Sequence, residues 1–341
     1  MTVSLTKEQL LRLSVASVGV TSMISLASYF MATRPLTEQA FARQRQLLEI
    51  NRNRIAAWWG QEVNRIGSDL QNQELVGRSL LILQSRRQLR SNKNNPLSLG
   101  LQTLLEPHAA NRNSVSLLTK GGIVVFSTDP QRLGMYQPLK NTTTSVDLVD
   151  LAMTPLNFFT DSFSGRPSIS VALPITTAQQ TRAGFLAIDL NLRRLNGQVT
   201  SQLKGGSTQI NKGPDVDAYL AARTSLDRIT VISPPSFLTE QQAARFGFVP
   251  LESKGLRRAL EGASGEGLYL NSQSQPVIGV YQYLPNFRSA LMVESLQYQV
   301  YESARRLSLL ILVIGLMLSL IPVLLAWRQA PSGPDPVPEQ P

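Results

Sequence analysis

The chain has no cysteine and one histidine in 341 residues. Without thiols there is no disulfide framework, no thiolate nucleophile and no cysteine zinc site. The lone histidine, His108 beside Pro107, leaves any metal site or triad that uses imidazole with a single candidate, and it reads as a surface or helix-end residue. The glycine pairs Gly121-Gly122 and Gly205-Gly206 are not followed by the Lys-Ser/Thr of a phosphate loop, and "GASGEG" lacks the strand-then-helix setting of a dinucleotide site. Asp147, Asp150 and Asp161 have a spacing that suits a carboxylate pair and nothing else that points to one. The expectation is a protein that is not an enzyme and uses no cofactor and no metal.

Charge is unevenly placed. The net charge is +10, and residues 34–93 carry eleven basic against five acidic side chains. A solvated helix face explains such a segment, and contact with anionic head groups or a partner is the alternative. No nucleic-acid module signature accompanies it, so no nucleic-acid partner is expected.

Two long uncharged runs are present. Residues 13–32 read "LSVASVGVTSMISLASYFMA" between Arg12 and Arg34, and residues 307–327 read "LSLLILVIGLMLSLIPVLLAW" between Arg306 and Arg328. At 1.5 Å per residue each reaches about 30 Å, the thickness of the hydrocarbon core. A cleaved signal peptide competes for the first run, but the apolar stretch is longer than such peptides use, and Phe30 spoils the small-x-small site before Ala32. The expected layout is a cytoplasmic N-terminus (1–12), an uncleaved span (13–32), a large domain outside, a second span (307–327) and a short cytoplasmic tail (328–341). Lys7 and Arg12 favour the N-terminus inside, and a long domain translocates regardless of its own charge. In the second span Gly315 suits close helix packing and Pro322 suits a kink.

Between the runs the period changes. Residues 37–88 lack proline and repeat apolar residues at helical spacing (Phe41, Leu48, Ile55, Trp59, Val63, Ile66, Leu70), so a long stalk helix is expected over 33–90, with one of Trp58 and Trp59 facing inward. After the polar break "SNKNNP" and a short helix near 101–107, "SVSLLTKGGIVVFST" gives two Val/Ile-rich runs around Lys120-Gly121-Gly122, a hairpin signature. Strands are expected over 168–175 and 184–190, then a helix over 192–203. A second, smaller set follows: strands near 218–223 and 228–233, a helix over 252–261, and the strands "GEGLYL", "PVIGVYQYL" and "RSALMVESL". The fold class is α+β, with a membrane-distal module at 91–204 and a membrane-proximal module at 205–303.

Three stretches, "GGIVVFSTDPQRLGMY", "FFTDSFSGRPSISVALPI…GFLAIDLNLRRL" and "ALEGASGEGLYLNSQSQPVIGVYQYLPNFRSALMVE", resemble the double Cache domains of bacterial chemoreceptors and sensor kinases, over roughly residues 37–303. The resemblance implies a PAS-like double module outside the cell or in the periplasm of a bacterium. It also implies a ligand pocket in the distal module, where the family binds amino acids, amines or carboxylates. Asp189 matches the position where amino-acid-binding relatives hold the ligand's ammonium; capping of the following helix is the competing role. The family's carboxylate-gripping Arg and Trp have no match in "NTTTSVDLVDLAM", which argues against an α-amino acid held in the usual way. Tyr136, Phe158, Phe159, Phe163 and Arg166 are the further candidates for the ligand wall, with core or turn roles as the competing reading.

The family continues past its second span into an output domain, whereas here a tail with five prolines follows. The expectation is therefore a two-pass plasma-membrane sensor of a small molecule that signals through a membrane partner supplied in trans. Homodimerisation along the arginine-rich helix is compatible with its apolar stripe. The alternative is a membrane-anchored scaffold with an empty Cache-like domain.

Overall fold

A computed structural model describes residues 7–85, 96–109, 112–160, 167–190, 192, 195–197, 199, 215–223, 229–233 and 253–328. The chain divides into two units: Phe41–Leu296, and the two chain ends through Ala40 and from Gln297 on.

The larger unit contains two sheets. The first is built from β1 (Arg112–Thr119), β2 (Val124–Ser127), β3 (Thr143–Ser145), β4 (Phe158–Thr160), β5 (Pro167–Thr176) and β6 (Arg182–Leu190), in the order β2-β1-β6-β5-β3 with β4 paired to β5. The second is built from β7 (Asp217–Arg223), β8 (Ile229–Ser233), β9 (Gly265–Leu270), β10 (Pro276–Leu284) and β11 (Ser289–Leu296), in the order β8-β7-β11-β10-β9. In each sheet the last strand lies between the first and the penultimate one, so one topology occurs twice. The expected hairpin is β1–β2, and Gly122 makes its turn possible. Its φ is +82°, and Gln137 donates its N–H to the Gly122 carbonyl at 2.8 Å. A Cβ there would lie 2.6 Å from the Gln137 carbonyl oxygen, so both the left-handed backbone and the close approach require glycine.

One apolar core joins the two sheets. Helix α1 (Lys7–Gln71) contributes Leu48, Ile55, Trp58, Trp59 and Ile66 to a cluster that includes Val115, Leu117, Ile169, Val171 and Ile188 of the first sheet and Leu220, Leu291 and Val293 of the second. Both tryptophans are buried, where one was expected. Phe287, in the 3-10 turn after β10, packs on both, with ring centroids 6.4 and 6.1 Å away. Polar contacts fix α1 at two heights. Gln44 donates to the Ile278 carbonyl at 3.0 Å and to Ser295 Oγ at 3.1 Å, and buried Asp69 is ion-paired with buried Arg112 of β1.

The stalk helix is not continuous to residue 90. It breaks at Asn72, whose side chain accepts from the N–H groups of Glu74 and Leu75 at 3.0 and 3.2 Å and so starts α2 (Gln73–Gln84). The arginines of this segment are laced into local pairs: Arg52 with Glu49, Arg65 with Glu62 and Arg78 with Glu74, all at 2.7 Å. Helix α3 (Pro96–Ala109) starts at Pro96, where a missing N–H costs nothing. Helix α4 (Lys254–Leu260) packs on β9, β10 and β11. The short strands β3 and β4 were not foreseen. The expected helix over 192–203 lies largely outside the described residues, and the tail from residue 329 lies wholly outside them.

The second unit holds the apolar parts of α1 and of α6 (Glu302–Arg328), preceded by the short α5 (Gln297–Val300). Both helices are long and apolar enough to cross a membrane, with mean hydropathy of 1.5 and 2.8 over their most apolar windows. They touch through small residues. Ser25 Oγ donates to the Ser308 carbonyl at 2.8 Å while Ser308 Oγ donates to the Ser25 carbonyl at 3.0 Å, and a Cβ on Gly315 would collide with Thr21. Thr37 and Tyr301 share a hydroxyl contact at 2.8 Å. Pro35 and Pro322 lie inside their helices without ending them.

Candidate functional site

The two faces of the first sheet differ in kind. Val115, Leu117, Ile169, Val171, Leu186 and Ile188 point into the shared core. The alternate residues point the other way, and the registers Ser114↔Asp189↔Ser170↔Thr143 place four short polar side chains in one row across β1, β6, β5 and β3. All four are buried, Asp189 to 2% exposure. The neighbouring row reads Ser116, Ala187 and Ala172, so the face stays shallow beside the carboxylate.

The segment after β2 covers this row. Asp129 accepts from the Gln131 N–H at 3.1 Å and starts the 3-10 turn Pro130–Arg132. The turn delivers Arg132, itself buried, into an ion pair with Asp189, whose Oδ2 also accepts from Ser114 Oγ at 2.9 Å. Gln137 donates its amide to Thr143 Oγ1 at 3.1 Å and to Ser170 Oγ at 2.9 Å. The result is a buried row of hydroxyls with one carboxylate between Ser114 and Ser170 and one guanidinium paired to it, suited to holding a small polar molecule. An ammonium ligand has to displace Arg132 from Asp189. A carboxylate or neutral polar ligand can share the guanidinium's five donors.

Of the residues singled out from the sequence, Asp189 is in the row. Phe159 lies opposite Ser168 on the same face of the sheet, half-buried. Tyr136 is on the covering segment, but its side chain is exposed to 65% and its backbone bridges Ile123. Phe158 pairs with Ile169 and is buried in the shared core, on the face away from the row. Phe163 and Arg166 lie outside the described residues. Sequence reasoning missed Arg132, Gln137, Ser114, Ser170 and Thr143. The serines had a signal, since "NSVS" and "SISV" alternate hydroxyls with branched apolar residues and so announce strands with a small polar second face.

The second sheet has a counterpart. Glu294, on its last strand, faces away from the shared core and is buried to 3% exposure. One of its oxygens, Oε1, accepts from the phenols of Tyr219 at 3.1 Å and Tyr269 at 2.9 Å, while Oε2 has no hydrogen-bond partner among the described residues. Burial pushes its carboxyl up to about 7, Tyr269 and Tyr219 pull it down, and Asp217 on the neighbouring strand adds to the rise. Burial first, and Glu294 second, also hold both phenols well above their ordinary value. Tyr269 reaches Glu294 because glycine occupies both flanking positions. A Cβ at Gly279 or Gly255 would run into its ring end. Gly279→Ala is expected to lower stability by about 1–3 kcal/mol through this collision, and thermal melts of the full chain measure it.

No family model matches the sequence, and no curated protein matches it. Among solved structures, the sensor domain of the V. cholerae histidine kinase DctB is similar at a TM-score of 0.50 and 15% identity, covering 76% of this chain and 98% of that one. The ligand-binding domain of the Campylobacter jejuni chemoreceptor Tlp3, in complex with 4-methylisoleucine, scores 0.44 at 12% identity, covering 78% and 94%. That of the Pseudomonas fluorescens chemoreceptor CtaA, in complex with L-leucine, scores 0.43 at 13% identity, covering 79% and 99%. The likeness to the DctB domain establishes the fold: between two apolar helices the chain has the double Cache architecture of extracytoplasmic sensor domains.

Proposed function

We propose that this chain is a membrane-anchored sensor that binds a small polar molecule outside the cytoplasm, on the row Ser114–Asp189–Ser170–Thr143 under Arg132 and Gln137. The observation that carries the reading is the burial of a carboxylate, a guanidinium and three hydroxyls on the sheet face turned away from the main core, beside a small apolar cluster of Leu118, Val124, Ala172, Phe185 and Ala187. Burying such groups costs stability unless they are satisfied, and recognition of a polar ligand is what gives them a use. The absence of the family's carboxylate-gripping Arg and Trp, together with the engaged state of Asp189, favours a carboxylate or neutral polar ligand over an ammonium.

In this reading the two apolar helices cross the plasma membrane, both termini are cytoplasmic, and the domain sits in the periplasm or outside the cell. Binding has to favour one of two states of the domain for a signal to exist. A membrane protein supplied in trans receives that signal, and a homodimer is the expected assembly. One observation favours the scaffold alternative: the covering segment itself already engages Asp189, Ser170 and Thr143.

The test is a thermal-shift screen of the detergent-solubilised full chain against organic acids, amino acids, polyamines and purines. A ligand present at a hundred times its Kd stabilises by about 2.7 kcal/mol, a rise of roughly 5–10 °C for a domain of this size. Gln137→Ala and Asp189→Asn are expected to abolish that rise. A folded chain that answers to nothing in the screen shifts the case to the scaffold.

A further inference from the structure

Glu294 lies outside the proposed ligand row, on the face of the second sheet turned from the shared core and close to the end of β11. Its Oε1 accepts from the phenols of Tyr219 and Tyr269, whereas Oε2 is buried with no hydrogen-bond partner among the described residues. The register sets Glu294 directly opposite Asp217, at the last rung of the β7–β11 ladder. Two carboxyl groups so placed repel one another when both are charged.

The elements packed on this face supply no positive charge among the described residues. β7 adds Tyr219, β9 Tyr269, β10 Tyr281 and β8 the apolar Val231. Helix α4 turns Leu256 and Ala259 to the sheet and keeps Lys254, Arg257 and Arg258 exposed. Ser253, which caps α4, hydrogen-bonds the Tyr219 phenol. The burial of Oε2 also limits what can meet it. It presents no surface to a water-sized molecule, so a hydrated ion or an ammonium ligand has no seat there, while a proton needs none. A proton taken up from solvent removes both the buried charge and the repulsion across the Asp217 rung.

We infer that Glu294 is a proton-binding site through which the second module senses pH, its ionised form loosening the Asp217 rung near the end of β11 and its protonated form closing it. That the pH sensed is the one outside the cytoplasm rests on the membrane placement proposed above; the switch itself does not depend on the row around Asp189. Burial raises the carboxyl to about 7, which puts the change near neutrality, and the rung loosens as pH rises through that value. The rung bears on signalling through chain connectivity. Leu296 ends β11 and Gln297 starts α5, which leads into the apolar helix α6, so no free loop separates the rung from that helix.

Hydrogen–deuterium exchange of the detergent-solubilised full chain between about pH 6 and pH 8, with each rate divided by the intrinsic rate at that pH, reads the rung directly. Protection of the backbone amides in 216–220 and 291–296 is expected to fall by about fivefold, the factor given by a cross-strand pair energy at the top of its usual range, with a midpoint near 7. Glu294→Gln is expected to keep the protected state throughout. Asp217→Asn is expected to move the midpoint down, because the Asp217 charge raises the Glu294 carboxyl, and to shrink the loss. Gln137→Ala, which disables the ligand row, is expected to leave the response unchanged, so the two readings fail separately. The inference is overturned if protection in these segments does not change with pH, if the first sheet loses protection in equal measure, or if Glu294→Gln responds like the wild type.

Discussion

Glu294→Gln is expected to stabilise the protein at pH 8 and to leave it nearly unchanged at pH 5. The folded state holds the Glu294 proton up to about pH 7, and the unfolded chain releases it near 4.5. Between those values the native state binds more protons than the unfolded state, so stability is fully present below about 4.5 and falls as pH rises towards 7. Two and a half pKa units correspond to about 3 kcal/mol, lost across that window and absent at pH 8. Glutamine keeps the shape, accepts from the same phenols and carries no charge to bury, so the variant escapes the loss. The groups facing Glu294 are Tyr219 and Asp217 on β7, Tyr269 on β9 and Tyr281 on β10, and the raised phenols of Tyr219 and Tyr269 stay neutral throughout the window. The measurement is a set of melts of wild type and variant from pH 4.5 to 8.5. A difference between the two that stays constant with pH would remove Glu294 as the titrating group.

Arg112→Ala is expected to cost about 3–5 kcal/mol, because it takes the guanidinium away from a buried carboxylate, Asp69. The side chains of the pair are exposed to only 1% and 3%, so water does not replace the lost partner. Replacing both members, as Asp69→Leu with Arg112→Met, is expected to recover most of the loss, since an apolar pair of similar volume avoids the desolvation of two charges. Chemical denaturation of the four chains gives the coupling. If the double variant is as unstable as the single one, the pair matters through packing and not through charge.

The parts of this fold that could be read from the sequence are those that local chemistry decides. Two uncharged runs gave the apolar helices, and Gly122 between two Val/Ile-rich runs gave the β1–β2 hairpin. Alternating apolar residues gave β5, β6 and the three strands that end the second sheet. The break of the stalk helix was missed because Asn72 acts as a cap through hydrogen bonds, while the apolar stripe runs straight past it. The strands β3 and β4, three residues each, exist only through pairing with β5. Among candidate site residues Asp189 was legible from its motif. Its partner Arg132 was not, because "DPQRLG" reads as a turn and nothing local says that the turn folds back over a strand 57 residues later. That Phe158 faces the shared core was hidden for the same reason: a three-residue strand shows no period from which to read its inward face.

The reciprocal contact between Ser25 and Ser308 has a mechanical consequence for the two apolar helices. Each hydroxyl reaches the other's backbone carbonyl, so the pair works like a pin that fixes the axial register. Sliding one helix by a single residue, about 1.5 Å, pulls both hydroxyls off their carbonyls, and in a bilayer no water replaces them. A small tilt about the same point moves these atoms much less than a slide does. A fulcrum of this kind, with Gly315 seated against Thr21 farther along the same contact, resists a piston stroke and yields to a see-saw.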